Sequence, residues 1–129
     1  MSTLAEQVGF CSPFSDNVGC RLVAVGEHSA QVDLQVDEHL RNRHGLLHGG
    51  ALFTLMDVTM GLACSSAHGF DRNSVTLEAK INYVRPVRDG VVECRATVLH
   101  AGRSTLVVEA TLTQGEKLVA KGQGTFAQL

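Results

Sequence analysis

One carboxylate, Asp57, interrupts the most apolar stretch of this chain, nine positions after His48 in the run His48-Gly49-Gly50. From Gly49 to Ala67 it is the only acidic or basic side chain. An unpaired carboxylate on a buried helix is costly, and Asp is a mediocre helix former, so its presence points to a use. The glycine pair suggests which. Glycines at a helix start let another molecule approach the backbone, and the first amides of a helix have no intrahelical acceptor. With the positive end of the helix dipole, such amides can hold a developing negative charge. A carboxylate facing that oxyanion hole takes a proton from water or attacks a carbonyl directly. The natural reaction is acyl transfer to water. Thioesters suit it, because a thiolate leaves with little acid assistance.

Spacing constrains who supplies what. Gly49 and Asp57 lie roughly 12 Å apart along one helix axis at 1.5 Å per residue. The carboxylate cannot reach an atom held at the start of its own helix. If both groups act on one substrate, a second chain is required, with two helices antiparallel across a two-fold axis. One subunit then supplies Gly49 and the other Asp57, giving an obligate dimer with two equivalent interface sites.

The elements that must position these groups follow from the pattern of the chain. Residues 3–10 read as a short helix broken at Ser12-Pro13. Residues 19–26 and 29–36 read as strands joined by a turn at Gly26-Glu27-His28, the second alternating Ala30, Val32, Leu34 and Val36 against polar partners. Residues 37–47 are polar and read as a loop leading into the helix. After the turn at Gly69–Asn73, strands are expected over 74–84, 90–100, 104–113 and 117–127, with Gln114-Gly115-Glu116 turning the last hairpin. In the first of these, Val75, Leu77, Ala79, Ile81 and Tyr83 share one face by alternation. A helix apolar nearly all round must be covered on most sides, and one antiparallel sheet can do this only by curling around it. So small a sheet leaves an edge and an outer surface for a partner chain.

Size and composition agree with this. The chain has 129 residues, one domain (1–129) by length, with 44% hydrophobic and 19% charged residues. A net charge of −2 and the lack of any Lys/Arg run argue against nucleic acid or an anionic membrane as partner. Cys11, Cys20, Cys64 and Cys94 have neither CxxC pairing nor regular spacing, so reduced thiols in a cytoplasmic protein are expected. The first residues lack the basic start and apolar core of a signal peptide. Gly49–Ala67 approaches membrane-span length, but its glycines, its central Asp and the strands that follow favour a buried soluble helix. His44 and His48 stand four apart, yet no Glu lies between them and glycines flank them, so no metal site is expected.

His48-Gly49-Gly50-Ala51-Leu52-Phe53-Thr54-Leu55-Met56-Asp57 resembles the HGGxxxxLxD signature of hotdog-fold acyl-CoA thioesterases, most of all the phenylacetate-degradation PaaI-type branch related to hydroxybenzoyl-CoA thioesterases. The resemblance runs from about residue 17 to the end. It includes the Asn upstream of the glycines, Tyr83-Val84-Arg85-Pro86 and Gly102-Arg103-Ser104. It implies an α+β hotdog fold, a long central helix wrapped by a curved antiparallel sheet, paired into dimers and often into tetramers. It also implies roles. Gly49 polarises the thioester carbonyl, Asn42 assists there, and Asp57 of the partner chain is base or nucleophile. Thr76 orients the attacking water, and His48 shapes the site near the sulfur. No cofactor is implied, since coenzyme A is part of the substrate.

Arg85, Arg88 and Arg103 are candidates for the CoA phosphates because guanidinium pairs well with phosphate. Gly50 and Phe53 are candidates for substrate contact, and Met56, Met60 and Phe70 for the acyl pocket. Two other functions compete. A non-catalytic acyl-CoA-binding module would not need Asp57. An enoyl-thioester hydratase would use a His-Asp pair, for which Asp37 and His39 are the nearest candidates, although they precede the helix.

Overall fold

The structure, a computed structural model, describes residues 3–129. Its centre is helix α3, Gly49–Ala67, whose bounds coincide with those of the apolar run. Before it come two short helices, α1 (Leu4–Gln7) and α2 (Pro13–Val18), and strands β1 (Cys20–Gly26) and β2 (Ser29–Gln35). After it come β3 (Ser74–Tyr83), β4 (Val91–Ala101), β5 (Thr105–Gln114) and β6 (Lys117–Gln128). All six strands form one antiparallel sheet in the order β1-β2-β4-β5-β6-β3. This is the expected architecture of a long helix wrapped by a curved antiparallel sheet.

The sheet's inner face and α3 make the core. Val32 and Leu34 of β2, Val92 and Cys94 of β4, Leu106, Val108 and Leu112 of β5 and Val119 of β6 are fully buried. Opposite them α3 buries Leu52, Leu55, Met56, Thr59, Met60 and Cys64. Each such aliphatic side chain contributes about 1.5–3 kcal/mol by leaving water. Met56 and Met60 nest against glycines of β6. A Cβ on Gly122 would lie 2.1 Å from the Met56 sulfur, and one on Gly124 would lie 3.1 Å from the Met60 methyl. Both methionines therefore belong to this chain's own core rather than to an open acyl pocket.

Three local expectations are corrected. The helix expected over 3–10 is confined to Leu4–Gln7, and Ser12-Pro13 starts a second helix instead of only ending one. Ser12 accepts from the Ser15 amide at 3.2 Å, and Pro13 stands at the first helical position, where its missing N–H costs nothing. Residues 37–47 are not plain loop, since Glu38–Leu40 is a 3-10 turn and Arg41 bridges to Leu47. The third correction bears on the site. The pairing of β3 with β6 skips a residue between Thr76 and Glu78, leaving Leu77 in a bulge. The bulge reverses the alternation upstream of it. Ala79 and Ile81 pack on the core as expected, but Val75 and Leu77 are 46% and 59% exposed, and Thr76 turns to the helix.

Nor is α3 covered all round. Phe53, Thr54, Asp57, Val58, Gly61 and Ser65, which fall on one side at helical spacing, are only half-buried. The N-terminal helices reach Val58, Gly61, Leu62 and Ser65 at the far end of this stripe. Asp57 lies nearer its middle.

Candidate active site

The start of α3 is built by His48. Its backbone is extended (φ −63°, ψ 138°), and its ring caps the helix by accepting from the Gly50 amide at Nδ1, 2.8 Å away. A neutral His48 therefore carries its proton on Nε2. A Cβ on Gly50 would come within 3.0 Å of Nδ1, so glycine leaves room for the cap. The His48 amide donates to the Leu40 carbonyl at 2.8 Å, fixing the helix start to the preceding 3-10 turn. The Ala51 amide turns back to the His48 carbonyl at 2.9 Å. Among the described residues nothing accepts from the Gly49 amide. Of the two glycine donors expected at this end, Gly50 is spent on the cap and Gly49 is free.

Asn42 stands across from it. Its side-chain oxygen accepts from the amides of His44 (2.9 Å) and Leu46 (3.1 Å), closing the loop on itself. With the oxygen so engaged, Nδ2 is left to donate, and no described residue accepts from it. Neighbouring Arg41 ties this loop to the 87–90 segment. It donates to the carbonyls of Gly45 and Arg88 and pairs with Asp89 (2.9 Å) and Glu38 (3.1 Å). Asn42 and Gly49 line one cleft of about 320 Å³, together with Leu52, Tyr83, Val84 and Arg85.

Asp57 is neither fully buried nor alone. It is half-buried on the open stripe of α3, and Thr76 Oγ1 donates to its Oδ1 at 2.7 Å. The bulge at Leu77 is what aims Thr76 inward. One carboxylate oxygen is thereby anchored. The pair sits two helical turns from Gly49, so a single chain does not bring Asp57 to the Asn42–Gly49 cleft.

The other candidates divide by place. Arg85 lines the cleft. Arg88 is exposed beside it and contributes its backbone carbonyl to Arg41. Arg103 lies in the turn between β4 and β5. Thr105 pairs with Ala127, and Ala127 with Val75, whereas Tyr83 pairs with Ala120 at the opposite end of the sheet. Arg103 and Gly49 are thus at opposite ends of one chain. Phe53 is partly buried on α3 and does not line the cleft, and Phe70 is exposed beyond the helix end. Asp37 and His39 do approach each other, at 3.4 Å, but His39 Nε2 is bound to the Asn17 carbonyl at 2.8 Å. Nε2 is spent holding α2 to the 3-10 turn, which leaves that pair poorly placed for acid–base work. Among the described residues no three His, Cys, Asp or Glu side chains converge to hold a metal ion.

One contact was not anticipated from sequence. The Tyr83 hydroxyl donates to the Gly49 carbonyl at 2.8 Å, and its ring lies 3.3 Å from where a Gly49 Cβ would stand. A Cβ at position 49 would press on this ring, so glycine leaves room for it. Tyr83 is the only tyrosine in the chain and ends a strand one residue before Arg85-Pro86, the one signal that singled it out.

Comparison with known proteins identifies the family and the fold. The Thioesterase superfamily model matches residues 44–121, which include Gly49, Asp57, Thr76 and Tyr83. A 1,4-dihydroxy-2-naphthoyl-CoA hydrolase from Listeria monocytogenes is 29% identical over 113 residues, 87% of this chain and 92% of that protein. Among solved structures, conserved protein PA5202 from Pseudomonas aeruginosa is 64% identical, with a TM-score of 0.94 over 98% of this chain and 100% of the other. The PaaI protein of the phenylacetic acid degradation operon of E. coli is 27% identical, with a TM-score of 0.88 over 97% of this chain and 90% of that one.

Proposed function

This chain belongs to the thioesterase superfamily and is a hydrolase of the hotdog fold, and from that premise we propose that it hydrolyses acyl-CoA thioesters to the free acid and coenzyme A. The observation that carries the proposal is the pairing of two unspent donors, the Gly49 amide and Asn42 Nδ2, around one cleft at a helix N-terminus. A thioester carbonyl oxygen between them gains negative charge as the tetrahedral intermediate forms, and donors set in place beforehand stabilise it without reorganising. The helix dipole adds to this.

Asp57 supplies the other half of the reaction. Anchored at one oxygen by Thr76, its second oxygen takes a proton from water or attacks the carbonyl carbon, and Thr76 helps orient the water. Because Asp57 and Gly49 of one chain are roughly 12 Å apart along the helix, the partner subunit supplies Asp57. The working unit is then a homodimer with two sites, itself able to pair into a tetramer. The half-open stripe of α3 centred on Asp57 and the exposed edge strand β3 are the surfaces available for pairing. Arg85 at the cleft, with Arg88 beside it, is placed to meet CoA phosphates. Arg103 does so only from the far end of a chain.

The test is a panel of aryl and straight-chain acyl-CoAs, followed by loss of thioester absorbance because exposed Cys11 would itself consume a thiol reagent. The expected result is turnover of at least one class by wild type, abolished in Asp57→Asn with the fold intact. Binding without hydrolysis would favour the non-catalytic module, and unchanged turnover in Asp57→Asn would remove Asp57 from the mechanism.

A further inference from the structure

We propose that Tyr83 is a positioning residue of the hydrolytic site, locking the Gly49–Gly50 peptide and, through it, holding His48 as the Nε2–H tautomer. The inference rests on the function proposed above. Its starting point is an anomaly of satisfaction. At a helix N-terminus the groups that lack partners are amides, whereas the Gly49 carbonyl already accepts from the amide four residues on. The Tyr83 hydroxyl is bonded to that carbonyl all the same, at 2.8 Å. The bond does not rescue an orphan acceptor. Nor is it forced by full burial, since Tyr83 is 52% exposed.

What the bond does is hold one peptide at both ends. The Gly49 carbonyl and the Gly50 amide belong to the same planar unit. Tyr83 donates to the first, and the second donates to His48 Nδ1 at 2.8 Å. A donor on the carbonyl strengthens donation by the amide of the same peptide. The relay therefore favours Nδ1 as acceptor and puts the imidazole proton on Nε2. With the 49–50 peptide unable to rotate and the His48 carbonyl held by Ala51, the free Gly49 amide between them has a fixed direction at the cleft. The ring of Tyr83, 3.3 Å from where a Cβ of residue 49 would stand, lines the same cleft.

The experiment compares Tyr83→Phe and Tyr83→Ala in the full chain, by steady-state kinetics on an accepted acyl-CoA and by ¹⁵N–¹H NMR of Gly50 and His48. Phe keeps the ring and removes only the hydroxyl. It should lower kcat about tenfold with KM little changed, the loss of one orienting hydrogen bond. The Gly50 amide proton should move upfield, and His48 should show a mixture of tautomers. Ala should also raise KM, because a wall of the cleft is gone. Wild-type kcat with unshifted Gly50 and His48 signals in Tyr83→Phe would overturn the proposal, as would a lower melting temperature with unaltered kcat. Should wild type hydrolyse no acyl-CoA, the functional proposal fails on its own and the NMR signals alone decide whether Tyr83 holds the His48 tautomer.

Discussion

Thr76 donates a 2.7 Å hydrogen bond to Asp57, and it does so from a strand whose alternation would turn it the other way. The one-residue bulge at Leu77 makes the difference, exposing Val75 and Leu77 and bringing a hydroxyl onto the carboxylate. Within one chain two apolar side chains are exposed for one polar contact, so packing inside the chain does not account for the bulge.

Removing the hydroxyl should therefore cost activity more than stability. Thr76→Val is expected to lower kcat about tenfold and Thr76→Ser to stay within about twofold of wild type, since serine keeps the donor. Steady-state kinetics alongside melting temperatures checks this. Equal activity of the valine and serine variants would detach Thr76 from the mechanism.

In the proposed mechanism Asn42 has two roles that substitution can separate. Asn42→Asp keeps an oxygen to accept from the His44 and Leu46 amides but loses the Nδ2 donor. Its melting temperature should stay near wild type while kcat falls about 100-fold or more, as for loss of an oxyanion donor. Asn42→Ala should lose both activity and loop order. Substantial activity in the Asp variant would mean that Nδ2 does not touch the carbonyl.

Gly122 is a packing requirement. A Cβ there would meet the Met56 sulfur at 2.1 Å and the Lys80 carbonyl at 2.7 Å. Gly122→Ala should destabilise by about 3 kcal/mol, the upper range for overpacking. Adding Met56→Ala should recover only part, because the backbone clash remains. Urea denaturation measures both, and wild-type stability in Gly122→Ala would contradict the packing described.

The thiols give a pH prediction. Burial pushes Cys20 up to about 11 and Cys64 and Cys94 up to about 12, from an ordinary 9.0. Folded chain then holds protons that unfolded chain releases. These groups contribute their stability fully below pH 9, and it is lost as pH rises toward the folded values. The urea midpoint should fall across that alkaline range, and less steeply once Cys64 and Cys94 are replaced by alanine. A thiol reagent should modify exposed Cys11 rapidly and the other three only on unfolding. An alkaline limb identical in the alanine variant, or fast modification of all four, would refute the assignment.

Most of the fold was legible in the chain because its signals are local. The Gly49-Gly50 pair and an apolar run with one charged residue set both ends of α3, and alternation placed β2, β4, β5 and β6 to within a residue or two. What escaped depends on neighbours distant in sequence. The Leu77 bulge has no local signature, and Val75 and Leu77 look like core. Met56 and Met60 look like pocket lining until Gly122 and Gly124 are known to lie over them. Ser12-Pro13 is ambiguous because the same pair ends one helix and begins another. In the site, Gly49 and Asp57 stood out by type and spacing, whereas Asn42 and Thr76 entered through resemblance alone. Tyr83 is recognisable only once β3 lies over the helix start.

The central claim is that one protomer's Asn42 and Gly49 work with its partner's Asp57, and mixed dimers test it most directly. Asp57→Asn and Asn42→Asp chains, each inactive alone, are unfolded together, refolded as a mixture and assayed on an accepted acyl-CoA. A shared site gives each hybrid one intact centre, so activity should recover to about a quarter of wild type after random assortment. Recovery no greater than the sum of the two parents, with hybrid dimers shown to be present, would contradict the account.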